Sequence, residues 1–366
     1  MEAVLSPNGQ SRFDGGAPPT KLVVATATGI KILEREKRGA PWHLAATALE
    51  KHHMSTMTML PGGRRGVLAG THGDGIFWST DGHSWEPRNE GLRVKDIYTL
   101  AAVIENGALV VYAGTEPASL FRSTDLGKSW SERPAISEQK NKDWTFPAPP
   151  HIAHTKMLAF DPRDPQHIFA AIEQGALLET RDGGQSWREL ADYSRPDDRA
   201  FKDLHNVVLV PSRPERMFMT TGCGSYRSED GGLHWARMTD ESFRLAYPDH
   251  IGLSPDEKTL FMSGAAGHPG MWRQSHDAGT AVLRSRDEGK HWEHLTRGIP
   301  ATAPCNIEAM SVAAWPGGYS LFLGDTDGAV YMSEDGGDNF TRIADAIGPI
   351  SKGNHFVPLQ RAAAAE

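Results

Sequence analysis

The sequence predicts an all-β protein, a seven-bladed β-propeller of four-stranded blades whose ring closes by pairing N- and C-terminal strands in one blade. Two observations carry that prediction. An eight-residue phrase recurs as STDLGKSW (123–130), TRDGGQSW (180–187), SEDGGLHW (228–235), SRDEGKHW (285–292) and SEDGGDNF (333–340), with STDGHSW (79–85) one residue shorter. The starts lie 44, 57, 48, 57 and 48 residues apart, a period that belongs to radial repeats of four-stranded units.

Each copy of the phrase joins two short alternating apolar runs, for example SLFRS before and SERP after, which read as a hairpin. The Asp carboxylate and the Ser or Thr hydroxyl cap backbone N–H groups of the turn, Gly supplies positive φ, and the aromatic residue anchors the hairpin. Two further strand candidates precede each hairpin, such as HNVVLV then MFMTT. Residues 22–44 read as a seventh unit that keeps Trp42 but lacks the phrase, and HFVPL (355–359) reads as its missing inner strand. Residues 1–19 are expected to form a flexible N-terminal segment, 20–360 a single propeller and 361–366 a tail.

Composition narrows the partners. The 366 residues carry 38 basic and 46 acidic side chains, so a net charge of -8 argues against a protein that tracks nucleic-acid phosphates. No run of eighteen apolar residues appears and the first nineteen residues lack a signal-peptide pattern, which points to no membrane partner and a cytoplasmic location. The two cysteines, Cys223 and Cys305, stand far apart with no CxxC, as expected in a reducing compartment.

The repeated phrase resembles that of the Asp-box, or BNR-repeat, β-propellers, a superfamily that includes sialidases, two-propeller xyloglucanases and a photosystem assembly factor. The resemblance spans nearly the whole chain and implies the propeller fold, with the phrases on the face opposite the ligand site. It does not imply sialidase chemistry, because the Arg-Ile-Pro motif is missing; RGIP (297–300) has an extra residue and falls in the wrong blade.

Aligning the inner strands by their apolar alternation places His53, Asp96, His154, His205, His250, Glu308 and His355 at the mouth of the central channel. Every one can bind a metal, and five are imidazoles in a chain with 16 histidines. Imidazole with carboxylate favours a divalent transition metal such as Fe, Mn, Zn, Ni or Cu. A second circle is expected from the loops after the second strands, where His72, Glu116, Glu173 and His268 are the candidate acid–base residues, alongside Cys223 and Asp325.

Two insertions, 135–150 with Trp144 and Phe146 and 267–281 with Trp272, Arg273 and His276, are candidates for a lid over a small-molecule substrate or for a contact with a second copy of the chain. The expected function is a metal-dependent enzyme acting on a small organic substrate, an anionic one included, in the channel mouth, by hydrolysis, elimination or oxidation. The alternatives are a non-catalytic binding or assembly propeller, and a glycoside hydrolase using paired carboxylates.

Overall fold

The computed structural model describes residues 2–138, 144, 151–190, 202–239 and 243–360. It shows a seven-bladed β-propeller. Blades two to seven run in chain order, each an antiparallel sheet whose innermost strand is Met54–Met59, Ile97–Glu105, His154–Asp161, Leu204–Val210, Tyr247–Leu253 or Ile307–Trp315. Blade one comprises Lys21–Thr26, Gly29–Glu34 and His43–Ala48 with an added inner strand. Apolar clusters fill the spaces between neighbouring sheets; one packs Leu100, Phe121 and Trp130 of blade three against Leu68 and Trp78 of blade two.

The repeated phrase behaves as the sequence predicts. In blade four Thr180 donates to Asp182 at 2.6 Å, and the Asp182 carboxylate accepts N–H groups from Gln185 and Ser186 at 2.9 Å each. The Gly184 N–H closes on the Thr180 hydroxyl at 3.1 Å, at φ +86°. Only glycine holds that left-handed turn without strain. The same contacts recur at Ser123–Asp125, Ser228–Asp230, Ser285–Asp287 and Ser333–Asp335.

The ring closes differently from the sequence expectation. The inner strand of blade one is β1 (Glu2–Leu5), which pairs in parallel with Lys21–Thr26, while residues 355–359 form turns rather than a strand. The chain then crosses to blade seven, where β2 (Arg12–Asp14) pairs in parallel with Val312–Ala314 as a fifth strand. The first nineteen residues are therefore not a loose leader. Ala3, Val4 and Leu5 are fully buried, and burying such side chains pins the segment inside the ring. The expectation of a flexible segment fails because a parallel partner, Lys21–Thr26, receives Glu2–Leu5.

Among the described residues one helix occurs, α1 (Pro269–Ser275), within the insertion of blade six. Residues 192–201, the larger part of 135–150 including Phe146, and the 361–366 tail lie outside the described residues.

Candidate functional site

Every inner strand from blade two to blade seven carries a β-bulge at its start, and the bulge decides which side chains meet at the channel mouth. The unpaired residues are Ser55, Tyr98, Lys156, His205, Asp249 and Glu308. Two residues earlier stand His53, Asp96, His154, Asp203, Tyr247 and Asn306. A bulge lets two positions on one strand aim the same way. The sequence alignment mixed these rows: His205 and Glu308 are bulge residues, His53, Asp96 and His154 stand two residues before a bulge, and His250 belongs to neither row.

The loop positions follow the same symmetry. The N–H of His72 bonds the carbonyl of His53, that of Glu116 bonds Asp96, that of Gly222 bonds Asp203, and that of Thr326 bonds Asn306. Glu173 pairs with His154 in the ladder at the corresponding place. Thus His72, Glu116 and Glu173 are equivalent residues, as their spacing predicts. Cys223 and Asp325 each stand one residue from that position.

Together these groups line a pocket of about 910 Å³ at the channel mouth. His53, His72, Asp96, Glu116, His154, Glu173, His268 and His355 all contribute to its wall. So do Tyr98, Lys156, Asp203, Tyr247 and Lys352, which the sequence reading did not single out. The signal for Asp203 and Tyr98 was present in KDLHNVVLV and KDIYTLAAV, where two polar residues two apart precede the apolar run.

One side of the pocket is a chain of rings and carboxylates. The His53 and His72 rings meet edge to face at 4.7 Å, His72 meets Tyr98 at 4.9 Å, and Tyr98 stacks on His154 at 3.7 Å. The Nδ1 of His72 donates to Asp96 at 2.8 Å, and its Nε2 is buried with no hydrogen-bond partner. His154 bridges two carboxylates, 3.3 Å from Glu116 and 2.5 Å from Glu173, and Lys156 also donates to Glu173.

Burial and charge set the protonation states. Burial, helped by the neighbouring His72, pulls the His53 imidazole down to about 4, so it is neutral near pH 7. For His154 burial acts downward, but Glu173 and Glu116 outweigh it and raise the imidazole. Burial alone would raise Glu116; the hydrogen bonds from His154 and Tyr98 win and hold it below the usual carboxylate range. Burial lowers Lys156 despite its contact with Glu173.

The expected seven-membered ligand ring does not converge on one point. His250 is buried with Nε2 donating to the carbonyls of Pro7 at 2.9 Å and Glu308 at 2.8 Å, while Asn206 donates to its Nδ1. It pegs the N-terminal segment to blades five and seven. Glu308 is also fully engaged, accepting from Asn306, Ser351, the Lys352 N–H and His355. Among the described residues, one set of three ligand atoms lies within 4.8 Å of one another, on Glu173, Asp203 and His205.

The insertion of blade six supplies part of the wall. His268, Pro269, Gly270 and Arg273 line the pocket, and Arg273 is exposed and makes no ion pair among the described residues. Trp272 is 1% exposed, donates to the Gly267 carbonyl at 3.0 Å and packs near Tyr247 and His355. It is an anchor for α1, not a surface for a second copy. Trp144 is half-buried against the cluster of Ile168 and Leu178.

No family model matches the chain. It is 22% identical over 235 residues to a probable oligoxyloglucan-reducing end-specific xyloglucanase of Neosartorya fischeri, a match covering 54% of this chain and 28% of that protein. An ancestral GH74 enzyme superposes with a TM-score of 0.61 at 18% identity, covering 79% of this chain and 38% of the other. The GH74 xyloglucanase of Xanthomonas campestris superposes with a TM-score of 0.56 at 17% identity, covering 79% and 45%. The chain thus spans less than half the length of these proteins. What it shares with them is the seven-bladed fold.

Proposed function

We propose that the chain is an enzyme acting on a small organic molecule in the hub pocket by acid–base chemistry. The observation that supports this most is the His72–Asp96 pair. Asp96 fixes the imidazole through Nδ1–H and leaves the Nε2 lone pair buried without a partner on a residue that lines the pocket, the arrangement from which a general base acts once a substrate seats against it. His154, held between Glu116 and Glu173, supplies a proton donor on the same wall. The glycine-flanked loops bring these groups to the face opposite the hairpin turns.

The test is turnover by the purified chain against panels of small esters, carboxylic acids and xyloglucan oligosaccharides, followed by mass spectrometry. One substrate class should be consumed by the wild type and not by His72→Gln. Turnover undiminished in both His72→Gln and Glu116→Gln would overturn the proposal. Saturable binding with no turnover would make the chain a binding propeller instead.

A glycoside hydrolase is the second reading, favoured by three carboxylates, Asp96, Glu116 and Glu173, on one pocket wall and by the xyloglucanase names of the relatives. Sugar release from xyloglucan oligosaccharides that Glu116→Gln abolishes would establish it.

A further inference from the structure

We propose that Glu173, Asp203 and His205 form a divalent-metal site on the floor of the hub pocket, with one imidazole and two carboxylates as protein ligands. The three ligand atoms lie within 4.8 Å of one another, and all three residues are more than nine-tenths buried. His205 Nε2 stands 3.5 Å from Asp203 Oδ2 and 4.0 Å from Glu173 Oε1, too far for good hydrogen bonds and suited to flanking an ion.

What singles out this cluster is that each residue holds an atom with no partner. His205 Nε2, Glu173 Oε1 and Asp203 Oδ1 are all buried without a hydrogen bond, while the other Asp203 oxygen, Oδ2, accepts from the Tyr247 hydroxyl at 3.4 Å. Such atoms are costly to leave unpaired, so three in one place ask for a shared occupant. His205 is already arranged as a ligand, because its Nδ1–H donates to the Pro248 carbonyl at 2.7 Å and leaves the Nε2 lone pair for the metal.

The neighbours complete the argument. Lys156 and His154 both occupy Glu173 Oε2, so Oε1 alone is left for an ion. Where blades two to four place His72, Glu116 and Glu173, blade five has Gly222, and a Cβ there would lie 2.3 Å from Asp203 Oδ2. The missing side chain is the space the Asp203 carboxylate fills. Other clusters at the hub lack this property, since Glu308 and Asp249 are taken up by His355, Asn306 and Lys352.

Two carboxylates balance a dication, and the mixed nitrogen and oxygen set suits Mn²⁺, Fe²⁺ or Zn²⁺ better than Ca²⁺. Glu173 and Asp203 line the pocket, so the remaining coordination positions face it and admit water or a substrate oxygen. Binding of the ion stands apart from the proposed reaction; only its use as a Lewis acid rests on that reading.

The experiment reads binding without activity. The full chain, purified without a histidine tag and stripped by a chelator, is titrated with Mn²⁺ by electron paramagnetic resonance and with Zn²⁺ by calorimetry. About one ion per chain should bind, and Asp203→Asn and His205→Gln should each weaken it at least about tenfold. His52→Gln, at the exposed His52–Asp74 pair, should leave it unchanged. Should a variant fail to fold, X-ray absorption on the zinc-loaded wild type decides, expected to show a single imidazole among oxygen donors. No saturable binding, binding unchanged in folded Asp203→Asn and His205→Gln, or two or more imidazoles in the shell would overturn the proposal. Failure here leaves the His72 turnover test untouched.

Discussion

His72 and Asp96 join two blades: the loop after the second strand of blade two lays its imidazole on the carboxylate that opens blade three, at 2.8 Å. The pair exists because the residue that opens each inner strand, two before its bulge, meets the loop of the blade before it. Chemistry at this hub is therefore built between repeats rather than within one. The same step is repeated by Glu116 with His154.

The first prediction concerns that pair. Asp96→Asn keeps the shape of the side chain but removes the charge that holds Nδ1–H, so His72 loses its fixed orientation. Once a substrate is found, turnover should fall by about 10²- to 10⁴-fold, with thermal stability nearly unchanged because Asp96 is partly exposed. A fall confined to KM would show that the pair binds rather than catalyses.

The second concerns closure of the ring. Leu5 is fully buried in the cluster formed by Leu22, Val24 and Phe322, where blades one and seven meet. Leu5→Ala should cost about 2–5 kcal/mol in chemical denaturation. Deleting residues 1–14 removes both parallel strands, exposes the edges of two blades and should cause aggregation measurable by light scattering.

The third concerns the repeated turn. Asp182→Ala removes the acceptor of the Gln185 and Ser186 N–H groups and should destabilise by about 1–2 kcal/mol. Calorimetric metal titration and turnover should be unaffected, because the turn lies at the other end of the blade from the hub. A change in either would mean the two faces are coupled.

Much of this arrangement is legible in the chain because its causes are local. STDLGKSW and its relatives encode a turn through hydrogen bonds within eight residues, so six of the seven blades follow from the repeat, and the seventh from the apolar runs of 22–44 and Trp42. Equivalence of His72, Glu116 and Glu173 follows from their shared spacing to that turn. The rest depends on long-range events. A bulge is invisible in apolar alternation, so Asp203 and Lys156 were passed over and His250 was placed one residue out of phase. That Ala3-Val4-Leu5 closes the ring in place of His355–Leu359 depends on which end reaches blade one in parallel, a choice no local pattern records.

The last prediction is a pH dependence. His53 is pulled from its ordinary 6.5 to about 4 by burial, then by His72, so the folded chain resists protonating it where the unfolded chain does not. Between those values the unfolded state binds more protons, and stability must rise with pH. The contribution is complete above about pH 6.5, declines as the solution is acidified, and is exhausted near pH 4. Replacing the imidazole in His53→Gln should flatten this part of the stability profile by on the order of 2 kcal/mol, allowing for its partial exposure. The Asp182 turn loses stability in a lower window, because hydrogen bonds from Ser186, Thr180 and the turn N–H groups overcome burial and hold that carboxylate at about 2. Denaturant unfolding measured at half-unit steps from pH 7.5 to about pH 2 separates the two. A His53→Gln profile parallel to the wild type down to pH 4 would show that the imidazole is solvated rather than held dry between His72 and Phe356.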